Sequence, residues 1–145
     1  MTDRSYGHYC PVAKTLELVG GRWTLLIVRE LLVGPQRFTD LHLALEGIPR
    51  NLLADRLRHL EAHGIVTRQE LPPPAARTVY ELTGPGRELL PVIGALAQWG
   101  LTHLPPPGPD EPVSPALGVL AERHGLPLPA AARRPSSPAR KGGRP

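Results

Sequence analysis

The sequence predicts a mainly α-helical domain with one small β-hairpin, an α+β fold in the order α-α-α-α-β-β-α. Three observations predict it. Apolar residues recur at helical spacing in four successive segments before residue 64, and glycines punctuate them. The pattern then changes to β-branched runs over 65–70 and 78–82. A last helical stripe follows and ends where prolines crowd the chain after Leu104.

Each element has its own local reason. Pro11 suits the first turn of the first helix, where its missing N–H costs nothing. Val12, Leu16 and Val19 supply the stripe of that helix, and Gly20-Gly21 ends it. Trp23 to Leu32 is apolar nearly all round and should therefore be central. Gly34-Pro35 closes it. Phe38, Leu41 and Leu45 mark a short third helix that Gly47 ends. Leu53, Leu57 and Leu60 form one stripe of a fourth helix running from Pro49 to His63, with Gly64 as its left-handed stop. Residues 65–70 and 78–82 then pair across a stiff tip, Pro72-Pro73-Pro74-Ala75-Ala76. Thr83 can cap a final helix reaching Leu104, with Leu89, Ile93, Leu96 and Trp99 on its stripe. Pro91 should kink that helix by removing a backbone bond. Two short helices around a glycine-containing turn, followed by a two-stranded ribbon, describe a winged helix-turn-helix.

Composition sets the organisation around this domain. Eleven of the 19 prolines lie in 105–145, so the compact domain is expected over 10–104, after an N-terminal arm of residues 1–9. The tail, 105–145, is expected to be disordered, with room for a short helix over 114–124. Residues 1–104 carry 11 basic and 10 acidic side chains, whereas 105–145 carry six and three. The pI near 9.8 is thus largely a property of the tail, and nucleic-acid binding by the body must be argued from pattern rather than charge. No apolar run reaches 18 residues and the first nine lack a signal-peptide core, so a cytoplasmic protein with no membrane partner is expected. The chain has no glycine-rich phosphate loop, nucleophile elbow or metal-hydrolase motif, so neither enzymatic activity nor a cofactor is expected.

The fourth helix carries the functional expectation. Opposite its leucine stripe stand Arg50, Asn51, Ala54, Asp55 and Arg58. Arginine reads guanine bidentately and asparagine reads adenine, and both stand at the helix start, where base contacts are made. A plain solvated polar face would look similar in isolation. The preceding helix, the Gly47 turn and the following ribbon favour a recognition helix in the major groove. Arg68 and Arg77 on the ribbon would meet phosphate or the minor groove.

The segments Cys10-Pro11-Val12, Gly20-Gly21-Arg22-Trp23-Thr24-Leu25-Leu26-Ile27 and Arg37-Phe38-Thr39-Asp40-Leu41 resemble the HxlR family of winged-helix regulators. So do Asn51 to Glu61, Gly64-Ile65-Val66 and Arg77 to Thr83. The resemblance covers residues 8 to 104. It implies a homodimeric, MarR-like regulator that binds double-stranded palindromic operator DNA, more often as a repressor. It also implies dimerisation through the first and last helices, here Val12, Leu16 and Val19 with Leu89, Ile93, Leu96 and Trp99. Pro49 departs from the serine cap frequent in the family.

Cys10, the single cysteine, stands at a helix start, where the backbone dipole favours a thiolate. Some family members sense oxidants or electrophiles through a cysteine at the matching position, so an effector that is thiol-reactive, or a small molecule in the dimer cleft, is the alternative reading, with DNA release as output. A small residue packing at a helix start explains Cys10 equally simply. His59 and His63, at i and i+4, and the pair His8 and Cys10 lack a third ligand, and no metal is expected.

Overall fold

The computed structural model describes residues 5–133. Its elements are α1 (Pro11–Val19), α2 (Thr24–Val33), α3 (Phe38–Ala44), α4 (Arg50–Ala62), β1 (Val66–Glu70), β2 (Thr78–Leu82), α5 (Gly84–Arg87), α6 (Leu90–His103), α7 (Pro115–His124) and a 3-10 turn over Ala130–Arg133. The order from α1 to β2 is the one the periodicity predicts. The chain forms two compact units, divided between Leu96 and Ala97.

The first unit has an aliphatic core. Ile27, Val28 and Leu31 of α2, Leu41 of α3, and Leu53, Leu57 and Leu60 of α4 are all buried. The leucine stripe of α4 is thus the inner face of that helix, as its spacing of i, i+4, i+7 requires. Gly64 follows α4 at φ +72°, the left-handed conformation that a residue with a Cβ avoids. The reversal feeds Ile65, Val66, Val79 and Leu82 of the hairpin into the same core.

β1 and β2 are antiparallel, in a register that runs from Val66 opposite Leu82 to Glu70 opposite Thr78. A short bridge adds to this ribbon. Gln36, in the link between α2 and α3, donates to the Tyr80 carbonyl at 3.0 Å and accepts from the Tyr80 amide at 2.7 Å. The wing is therefore fastened along its second strand to the segment that leads into α3.

Thr83 does what its position predicts. Its hydroxyl accepts from the Gly86 amide at 3.2 Å and donates to the Gly64 carbonyl at 2.6 Å. One side chain thus caps α5 and ties the end of the hairpin to its beginning. Gly86 is needed at this junction, since a Cβ there would overlap the Ile65 carbonyl oxygen.

The structure departs from expectation in its last third. The final helix is not kinked at Pro91 but divided earlier, at Glu88 and Leu89. Pro91 falls in the first turn of α6, where a missing N–H breaks no helical bond. The second unit begins before the expected boundary at Leu104, and within 105–133 the short helix allowed over 114–124 forms as α7. Ser114 caps α7 by accepting from Leu117 at 3.4 Å, and Ala116, Leu120 and Leu126 are buried. Leu101, Leu104, Leu117 and neighbouring prolines line a groove of about 490 Å³ within this unit. The basic cluster from Arg134 onward lies outside the described residues.

Candidate nucleic-acid interface

The two faces of α4 have opposite fates. Leu53, Leu57 and Leu60 are at most 1% exposed, which fixes the rotation of the helix about its axis. That rotation leaves Arg50, Asn51 and Arg58 in solvent, with Ala54 and Asp55 half-buried. Arg50 and Asn51 have no side-chain partner among the described residues. Pro49, expected as the first helical residue, is instead the N-cap, with extended backbone and no capping side chain. The start of α4 therefore presents two uncommitted polar side chains beside an uncapped first turn.

Further along the helix the charges are compensated. Asp55 lies 3.7 Å from Arg56 and 3.9 Å from Arg58. On the wing, Arg68 approaches Glu61 of α4 at 3.8 Å. The contacts of Arg58 and Arg68, whose side chains face solvent, are open and weak enough to be exchanged for a phosphate. Arg77, just before β2, is exposed and its carbonyl accepts from the Leu71 amide at 2.8 Å, closing the hairpin.

Two residues of α4 do work that helical spacing did not reveal. Arg56 donates from Nε to the Arg22 carbonyl at 3.1 Å, and His59 donates from Nε2 to the Leu18 carbonyl at 3.0 Å. Together they bolt α4 to the last turn of α1 and to the connection that follows it. His63 bonds back to the His59 carbonyl at 2.8 Å, so both imidazoles of the i, i+4 pair are engaged by backbone. No group of three metal-ligating side chains occurs among the described residues.

Another residue pair at the base of the wing was quoted in sequence only as a motif. The Asp40 carboxylate accepts from the Arg37 amide at 3.0 Å, from its Nε at 3.0 Å and from its Nη2 at 2.9 Å. The Arg37 guanidinium beside it, and more weakly Arg77, hold the Asp40 carboxyl below its ordinary range.

The residues expected at a subunit interface divide. Val12 and Leu16 of α1 and Leu96 and Trp99 of α6 are exposed, Val12 by 68% and Trp99 by 58%. Leu89 is half-buried. Val19 and Ile93 are buried inside the chain and are core residues of the single subunit, because the stripes of α1 and α6 are wide enough to face two ways. Cys10 is a free, half-buried thiol at the N-cap of α1, and its side chain makes no capping bond. Near it, the Tyr6 amide donates to Glu17 at 2.9 Å and anchors the N-terminal arm on α1. No helix of the described residues is long and apolar enough to cross a membrane.

Comparison with known proteins agrees with this geometry. Residues 18–107 match the profile of the HxlR-like helix-turn-helix. An uncharacterized HTH-type transcriptional regulator of Synechocystis, sll1512, is 40% identical over 94 residues, covering 65% of this chain and 70% of the relative. A MarR-family transcriptional regulator from Porphyromonas gingivalis superposes with a TM-score of 0.63 at 32% identity, over 70% of this chain and 99% of that one. The reduced form of the redox regulator HypR superposes with a TM-score of 0.60 at 32% identity, over 64% of this chain and 92% of that one. The winged helix read from the periodicity is thus also the fold of these regulators. The chain belongs to the HxlR-like helix-turn-helix family and is a MarR-like transcriptional regulator.

Proposed function

We propose that the protein acts as a homodimeric, sequence-specific repressor, with α4 in the major groove and the hairpin over 65–82 on the backbone or in the minor groove. The observation that carries this reading is the orientation of α4. Its buried leucines turn Arg50 and Asn51 outward, exposed and unpartnered, at the end of the helix where base edges are read. Asp55 and Arg58 follow on the same face, Arg68 approaches the helix from the wing, and Arg77 is exposed just before β2, where both would meet the DNA backbone. The exposed Val12, Leu16, Leu96 and Trp99 support self-association through α1 and α6. A two-fold dimer would set its recognition helices about 34 Å apart, one turn of DNA. Repression then needs nothing more than occupancy of an operator.

The test starts from an unbiased selection of bound duplexes. Arg50→Ala combined with Asn51→Ala should lower affinity for the selected sequence at least tenfold per half-site, since each bidentate base contact is worth about 1–3 kcal/mol. The melting temperature should not change. Unaltered affinity would remove α4 from the reading role.

A second reading is favoured by one observation. Cys10 is half-buried at the start of α1, the helix proposed to dimerise, and the fold is shared with a redox regulator. Alkylation of Cys10, or its oxidation to a disulfide with a low-molecular-weight thiol or with Cys10 of the partner subunit, the oxidant taking up the two electrons and two protons, would then displace the subunits and release DNA. Diamide should dissociate the complex of the wild type and spare that of Cys10→Ser. Equal release from both proteins would exclude this route and leave a small-molecule effector as the alternative.

A further inference from the structure

We propose that Arg37, Asp40 and Arg77 form a clamp for one DNA backbone phosphate at the root of the wing, with Asp40 the positioning residue. The inference rests on the DNA-binding reading and adds a site to it.

The Gln36–Tyr80 bridge brings the parts together. It is antiparallel, so the chain advancing from Gln36 into Arg37 runs back along β2 from Tyr80 toward Thr78 and Arg77. Both arginines are exposed, and both are held by backbone bonds close to them, Arg77 through its carbonyl and Arg37 through its amide.

Asp40 then decides how Arg37 is presented. Its carboxylate engages Nε and Nη2 of the guanidinium in a fork at 3.0 and 2.9 Å. A guanidinium has five N–H groups in one plane, so this fork leaves three directed away from Asp40. The Arg37 side chain keeps 48% exposure while so held. An arginine fixed in this way has already lost the rotamer freedom that a phosphate contact would otherwise cost. Two guanidiniums and one carboxylate carry a net single positive charge, matched to one phosphate. In helix-turn-helix proteins the helix before the recognition helix crosses the backbone, and Arg37 immediately precedes that helix, α3.

The sign of one substitution separates this proposal from bulk electrostatics. Asp40→Asn removes a negative charge facing a polyanion, so charge alone predicts tighter binding. Loss of positioning predicts weaker binding, by about threefold to tenfold. The asparagine oxygen can still accept from the Arg37 amide, so α3 should stay folded, and melting curves check this. Arg37→Lys keeps the charge but cannot take the fork, and should behave like Asp40→Asn.

The experiment is equilibrium binding of the full chain to the selected duplex across a salt series. Arg37→Ala and Arg77→Ala should each reduce the slope of log affinity against log salt by about 1 per half-site, about 2 for a dimer on its full site. Asp40→Asn should cost nothing further in the Arg37→Ala background. The clamp is overturned if Asp40→Asn binds as tightly as wild type or tighter, if its cost persists without Arg37, or if the arginine variants keep the wild-type slope. Those results would leave sequence-specific binding intact. Failure of the wild type to select any duplex would instead overturn the DNA reading itself.

Discussion

Replacing Thr83 by valine should loosen the root of the wing by an amount that can be worked out bond by bond. Valine keeps the volume and branching of threonine, so no cavity forms. The hydroxyl's acceptor bond is lost, and so is its donor bond, which is shared between the Gly64 carbonyl at 2.6 Å and, more weakly, the Ile65 carbonyl at 3.2 Å. The Gly86 amide loses its capping acceptor, worth about 1 kcal/mol. The Gly64 carbonyl loses a 2.6 Å bond from the hydroxyl, worth about another 1 kcal/mol. The bond from the Thr83 amide to the Ile65 carbonyl is backbone and survives. The expected cost is therefore about 2 kcal/mol, and with a small-protein urea slope it moves the midpoint down by about 1 M. Thr83→Ser retains both bonds and should lie within about 0.5 kcal/mol of wild type. Urea denaturation followed by circular dichroism measures all three proteins. A valine variant as stable as the serine variant would refute the double role given to this hydroxyl.

Other perturbations test other parts of the fold. Leu57→Ala, at a site 1% exposed, should cost about 2–5 kcal/mol and lower the thermal midpoint, whereas a change of less than 1 kcal/mol would mean that α4 packs by another face. Gly86→Ala forces a Cβ onto the Ile65 carbonyl and should destabilise the first unit more than Gly84→Ala, which meets nothing within 4 Å. Equal melting temperatures would contradict the close approach. The Arg37–Asp40 fork also has a pH dependence. The folded-state value of Asp40 is lowered, so its stabilisation is fully present above the ordinary aspartate value of about 3.9 and is lost as pH falls through the lower folded value. The stability difference between wild type and Asp40→Asn should be flat from pH 6 to 8 and close only in acid. A difference that vanished near pH 6 would assign it to another group.

The parts of the fold legible in the sequence were those set by local period. Leu53, Leu57 and Leu60 announce the inner face of α4 because a helix repeats every 3.6 residues, and Thr83 announces a cap because short hydroxyl side chains satisfy first-turn amides. Contacts between segments distant in sequence left no such trace. Nothing in the local pattern ties Arg56 or His59 to another segment, yet their partners are 34 and 41 residues away. The bridge at Gln36 involves a single residue pair, too short to show alternation. The second unit was masked by composition, since eleven prolines suggested disorder while Ala116, Leu120 and Leu126 sufficed for a small core. Of the candidate site, the outward position of Arg50 and Asn51 on α4 was legible from pattern, but the fork that orients Arg37 was not, because pattern shows which residues are present and not which bonds they choose.

The pairing of basic with acidic side chains on the exposed face has a consequence for how such a protein finds its target. Arg58 has Asp55 within 4 Å, and Arg68 has Glu61. On random sequence each of these arginines must leave a carboxylate to reach a phosphate, so the gain per contact is small and residence is brief. At a matching site, under the proposed reading, Arg50 and Asn51 would add base contacts without giving up a partner. A genome offers about a million to a billion competing sites, so occupancy depends on the ratio of the two affinities more than on either alone. Internal carboxylates would lower the sequence-independent part of both affinities, so that under the proposed reading residence on random DNA becomes brief and tight binding must come from the base contacts.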